Sequence, residues 1–192
     1  MRRSAPKRTN ARRSDRFRRA IWHALTLDTQ LYRSTQENPK ALQSALAIVV
    51  LAALSRAIAN ILISLLNRLT LPALVMAVSL GIFSVIVCYF FWTFTIWKAG
   101  QWLRFNPPSY KALLRPIGFA YAPQILNFII VLPVLGRAAE LVLSMWTLYA
   151  VALAVSSAMS ISKLKAVFIS VLSFPIVQIV PILIQILVQQ FV

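Results

Sequence analysis

Five apolar segments, each near the length that crosses a bilayer, constrain this chain more than any other feature. They are residues 42–66, 72–97, 117–135, 138–158 and 164–188. A helix needs about 20 apolar residues to span a hydrocarbon core about 30 Å thick. Inside that core every backbone N–H and C=O must be bonded within the protein, which favours helices. Composition agrees, since 59% hydrophobic residues and a mean hydropathy of +0.75 are more than a soluble domain can hide. The expected fold is all-α, a polytopic bundle of five transmembrane helices preceded by an amphipathic interfacial helix.

The charges set an expected orientation. The arm before the first segment holds 11 Lys+Arg, and the four connections hold one, four, one and two in turn. The C-terminus holds none. This alternation obeys the positive-inside rule for five spans, with the N-terminus cytoplasmic and the C-terminus on the opposite side. A four- or six-span reading breaks the alternation. A cleavable signal peptide is not expected, because the basic region is long and no apolar run follows closely.

The chain divides into a basic tail (1–16), an amphipathic helix with its linker (17–40) and the spanning domain (41–192). The tail is arginine-dense and polar, which suits disorder and contact with an anionic surface. The candidate anionic-lipid contacts are Arg2, Arg3, Lys7, Arg8, Arg12, Arg13, Arg16, Arg18 and Arg19. Arginine also suits bidentate contacts to phosphate or carboxylate. Nucleic acid is the weaker expectation, as no aromatic residue interleaves positions 1–16. Apolar positions at Phe17, Ile21, Ala24, Leu25, Leu31 and Tyr32 predict one amphipathic helix over Asp15–Tyr32. Ser34 to Glu37 reads as a capping box for the first span, with Pro39 just inside that helix. Trp22, Trp97 and Trp102 are candidate interfacial anchors.

Arg56 lies inside the first segment, where an arginine costs about 2.5–3.5 kcal/mol on insertion scales. Arg56, Asn60, Ser64 and Asn67 share one helix face. Gln124 and Asn127 lie three apart in the third segment, and Ser170, Gln178, Gln185 and Gln189 share a face of the fifth. Arg56, Asn60, Gln124, Asn127, Gln178 and Gln185 thus form a candidate intramembrane polar cluster. Counting along the helices sets Arg56 and Gln178 at equal depth, about 21 Å in. The expected partners of Arg56 are Gln178, Asn60 and carbonyls freed by Pro123, Pro133 or Pro175. Glu140 is the one carboxylate beyond residue 37, so any acidic partner within the spans must be Glu140.

Tyr89 to Trp102 crowds aromatic rings at the inner end of the second segment, as a belt plus packing. Gly100–Arg115 reads as an elbow, in which Ser109 caps a short interfacial helix through Leu114. Ala150, Ala154 and Ala158 make a small-residue stripe suited to close helix contact. Catalysis lacks material, with one His (His23), one Cys (Cys88) and no glycine-rich phosphate loop. No metal, cofactor or small-molecule substrate is expected.

The order of landmarks resembles a known family. Tyr32-Arg-Ser-Thr-Gln-Glu-Asn-Pro39 precedes the first span, and Ser109-Tyr-Lys-Ala-Leu-Leu-Arg115 precedes Gly118-Phe-Ala-Tyr-Ala-Pro123. Pro133-Val-Leu-Gly136, Trp146 and Ser160-Ile-Ser-Lys-Leu-Lys-Ala166 follow. Over roughly residues 17–190 this is similar to bacterial members of the Yip family. Eukaryotic members of that family bind Rab/Ypt GTPases and act in vesicle traffic. The resemblance implies a non-enzymatic five-span protein with a cytosolic N-terminus, and it carries no functional residue over. The expected function is a scaffold or membrane organiser that binds anionic lipid, itself or another membrane protein. The alternatives are an accessory subunit of a larger membrane complex and a small transporter built on the Arg56 cluster.

Overall fold

The computed structural model describes residues 18–38, 40–68, 70–132, 135–175 and 179, except the side chain of Glu37. Its elements are α1 (18–25), α2 (Thr29–Glu37), α3 (Ala41–Leu66), α4 (Leu71–Trp102), α5 (Tyr110–Ala120), a 3-10 helix (Ala122–Val131), α6 (Gly136–Met159) and α7 (163–175). No strand occurs among the described residues.

Three helices, α3, α4 and α6, are long and apolar enough to cross a membrane. The pair formed by α5 and the 3-10 helix passes the same test together, but is bent by 42°. The described residues therefore hold three to four candidate spans, and the chain is an integral, multi-pass helical membrane protein. The fifth apolar segment extends beyond the described residues, and so do Pro39, Pro133 and Pro181.

The packing of these helices follows from small side chains. In lipid, apolar faces gain nothing by leaving one tail for another, so helices associate through close backbone approach and polar contacts. Along α3 the buried residues include Ala41, Ala45, Ala52, Ala53, Ala57 and Ala59. Along α6 they include Ala150, Ala154 and Ala158, the stripe seen in the sequence. Gly118 of α5 faces α3 so closely that a Cβ there would lie 2.7 Å from Ala45 Cβ. Gly81 opens a notch on α4 for Asn60, whose Nδ2 donates to Ala77 O at 3.1 Å.

The third segment departs from its expected form. A short helix from Ser109 to Leu114 followed by a span over 117–135 is replaced by α5 running through Arg115 and Pro116 to Ala120. Ser109 is the N-cap as expected and accepts from Ala112 N. The break comes from Pro123, which lacks an N–H and clashes with the carbonyl four residues earlier, ending α5 at Ala120. Beyond the bend the chain continues as a 3-10 helix. The broken element still climbs alongside α3: Gly118 lies against Ala45, and Phe128 N lies 2.9 Å from Ser55 Oγ. Ten residues of advance on one element match ten on the other.

The N-terminal region also differs from expectation. One helix over Asp15–Tyr32 is replaced by α1 and α2, separated by a turn in which Leu27 adopts φ 60°. Asp28 caps α2 by accepting from Gln30 N at 2.9 Å. Ser34–Glu37, read as a capping box, is instead the last turn of α2, where Ser34 and Thr35 hydroxyls donate back to Leu31 O and Tyr32 O. Asp28 thus caps α2, whereas α3 starts after Lys40 with no side-chain cap.

Candidate functional site

Polar side chains join α3, the 3-10 helix and α6 into a seam. Arg56 NH1 lies 3.0 Å from Glu140 Oε1 and donates to it. Beside it, Ser55 Oγ accepts from Phe128 N. Next, Asn127 Nδ2 donates to Gln124 Oε1 at 2.8 Å, and Gln124 Nε2 donates to Thr147 Oγ1 at 2.9 Å. The Thr147 hydroxyl donates in turn to Leu143 O at 2.8 Å. Each bond crosses between elements or leads to one that does.

This arrangement has a physical cause. A 3-10 stretch of ten residues is longer than its poorer hydrogen bonds ordinarily sustain. Backbone donors at membrane depth must nevertheless be satisfied. Ser55 supplies a partner for Phe128 N–H, and Asn127, almost fully buried, is held by Gln124. Sequence reasoning missed Ser55 and Thr147. Their signal was position alone, Ser55 beside Arg56 and Thr147 on the α6 face that turns toward the third segment.

Of the partners expected for Arg56, the possible acidic one is in contact, and Asn60 is not, since it turns to α4. Gln178 and Gln185 lie outside the described residues. Glu140 takes the guanidinium. Glu140 is in the first turns of α6, four residues after Gly136, so Arg56 sits level with the start of α6. Side-chain exposures of 31% for Arg56 and 45% for Glu140 put the pair on a shoulder, above which α3 continues for ten more residues. The pair is neutral overall.

A second set of contacts fastens α2 to the other end of the bundle. Arg115 NH1 donates to Gln36 O at 2.6 Å, and Gln36 Nε2 donates to Ala158 O at 2.9 Å. Tyr32 is fully buried and its hydroxyl donates to Ala24 O at 3.3 Å. Burial lifts the Tyr32 phenol above its ordinary range, and the Asp28 charge adds to the lift. The tyrosine therefore stays a neutral donor. His23 Nδ1 lies 3.2 Å from Asp28 Oδ2, which occupies His23 locally.

The aromatic run splits by role. Tyr89 and Trp92 are buried, with Tyr89 donating to Leu114 O at 2.8 Å and Trp92 Nε1 to Ser173 Oγ at 2.9 Å. Phe90, Phe91 and Phe94 are exposed. Trp97 donates to Pro108 O, while Trp22 and Trp102 stand out from the surface. Of the basic arm, Arg18 and Arg19 are exposed on α1, whereas Arg2, Arg3, Lys7, Arg8, Arg12, Arg13 and Arg16 lie outside the described residues.

No curated protein and no solved structure matches the chain. A family model, the Yip1 domain, matches residues 22–185, from α1 through every described helix. That span covers most of the 192 residues, and the chain belongs to the Yip1 domain family.

Proposed function

We propose that this protein is a non-enzymatic membrane organiser. Its five spans hold a short helical platform, and through it an arginine-rich arm, against the cytoplasmic leaflet. The observation that carries the reading is the fastening of α2 to the spans through Arg115, Gln36 and the carbonyl of Ala158. A tether of this kind fixes where the arm leaves the bundle. The arm is then directed at an anionic surface, where each basic residue contributes about 1 kcal/mol. Anionic lipid is the proposed partner, together with a second membrane protein or another copy of this chain.

The five-span arrangement belongs to the same proposal. In it, the bent pair is a broken span, supported by its residue-for-residue climb beside α3. The fifth span is completed by the apolar run to residue 188. Most of the basic residues then fall on the cytoplasmic side, as the positive-inside rule requires. Reporter tags at Met1 and Val192 should be accessible from opposite compartments; accessibility from one compartment would sink the arrangement.

The arm is tested with the full chain in phosphatidylcholine nanodiscs. At low salt these should capture vesicles containing phosphatidylserine, and deleting residues 2–16 should weaken capture at least tenfold. Rising salt should narrow the difference, because exposed charges are screened. Undiminished capture after the deletion removes the arm from lipid contact. The Arg56 cluster supports the transporter alternative poorly, since Glu140 neutralises Arg56.

A further inference from the structure

A cavity of about 330 Å³ opens between α2, the last turns of α6 and the start of α7. We propose that it binds a phosphate-bearing anion, supplied by an anionic lipid headgroup or by phosphate free in solution. The proposal rests on the orientation above, which sets this end of the bundle at the cytoplasmic leaflet.

The lining has the right chemistry. Arg33 and Lys163 bring two positive charges, and Thr29, Ser157 and Ser160 bring hydroxyls, beside the amide of Gln30. No carboxylate among the described residues lines the cavity. Guanidinium groups bind phosphate bidentately, and hydroxyls complete the donor set around its oxygens. Neither ion pair among the described residues engages Arg33 or Lys163. Buried Leu153 also lines the cavity. The volume is near the lower end of the range of about 300–1,000 Å³ usual for ligand sites.

The backbone holds this lining in place. Ser160 adopts φ 52° and reverses the chain between α6 and α7. The Ser156 hydroxyl donates to Ile161 O at 2.8 Å and Ile161 N donates to Ser156 O at 3.2 Å, which fixes the reversal. Carbonyls at a helix C-terminus would repel an anion. Here two of them are already occupied, Ala158 O by Gln36 and Ser156 O by Ile161. Among the described side chains Asp28 is the nearby opposing charge, and its carboxylate is engaged with Gln30 N and His23. The cluster thus joins three separate stretches of sequence and is stabilised by contacts that do not consume its donors.

The test uses the full chain in phosphatidylcholine nanodiscs, with short-chain phosphatidic acid, inorganic phosphate and short-chain phosphatidylcholine as probes. Phosphatidic acid should bind saturably. The R33Q/K163Q double variant should weaken that binding at least tenfold, and Ser157→Ala should weaken it severalfold. Both changes lie at the edge of the fold, and thermal melting verifies that each variant remains folded. Phosphatidic acid that inorganic phosphate fails to displace assigns the site to lipid; displacement by phosphate at equal affinity assigns it to a soluble anion. Wild-type affinity in R33Q/K163Q and in Ser157→Ala, or equal binding of phosphatidylcholine, overturns the proposal. Deletion of residues 2–16 separates the two lipid readings. It should leave phosphatidic acid binding within about twofold, because the arm supplies no lining residue. Binding lost with the arm but retained in R33Q/K163Q would confine lipid contact to the arm and refute the cavity.

Discussion

Glu140→Leu should destabilise this protein by about 3 kcal/mol, a roughly hundredfold shift in its folding equilibrium. The reason is not the attraction that is lost but the charge left behind. With Glu140 gone, Arg56 keeps its guanidinium at the shoulder between α3 and α6 without its carboxylate partner. Removing one partner of a buried ion pair typically costs about 3–5 kcal/mol, and the partial exposure of this pair places it at the low end. The double variant Arg56→Leu/Glu140→Leu should recover most of the loss, since two apolar side chains suit lipid contact. Equilibrium unfolding of the reconstituted protein measures both. Glu140→Leu as stable as wild type, or a double variant no better than the single, would show that Arg56 reaches the interface unaided.

Trp92→Ala should cost a comparable amount, also about 3 kcal/mol, by a different route. Trp92 is 3% exposed and ties α4 to two other elements. Its ring meets Tyr121 edge-on at 6.2 Å and Phe174 at 5.7 Å, and its Nε1 donates to Ser173 Oγ. Truncating a buried Trp to Ala usually costs about 3–5 kcal/mol through lost contacts and the cavity created. In a membrane the transfer component shrinks, because the lipid is itself apolar. The lost dispersion contacts remain. The effect should concentrate on α7, whose Ser173 and Phe174 lose their partner. Hydrogen exchange across 163–175 should therefore accelerate in Trp92→Ala and less so in Trp92→Phe, which retains a ring. Protection of α7 that is unchanged in Trp92→Ala would refute its anchoring role.

The apolar segments were legible because bilayer thickness dictates helix length. Segment 42–66 became Ala41–Leu66 and segment 138–158 became Gly136–Met159. The second segment ran on past residue 97 to Trp102, since amphipathic residues at a helix end carry no hydropathy signal. Pro123 announced a disturbance in the third segment. What followed the bend was not visible, because a 3-10 continuation depends on Ser55 accepting from Phe128 N, a contact 73 residues apart in sequence. The split between α1 and α2 was hidden by an apolar pattern that continued across it. Leu27 is an apolar residue like those of the pattern, yet it adopts a left-handed backbone conformation.

Arg56 shows where the division falls. Its residue type and its place within an apolar run established that a polar partner was required, because a charge in hydrocarbon is too costly to leave alone. Which partner it finds depended on neighbours. Apolar helix faces in lipid barely discriminate among one another, so hydropathy does not encode which helices touch. Ala45, Gly118 and the alanines of α6 set those contacts by close approach, and only then do Arg56 and Glu140 meet. Sequence alone therefore determined that the chain is a multi-pass membrane protein with buried polar demands. Tertiary structure decided how each demand is met, since hydrogen bonds and ion pairs act over a few ångströms and exist only once the helices are placed.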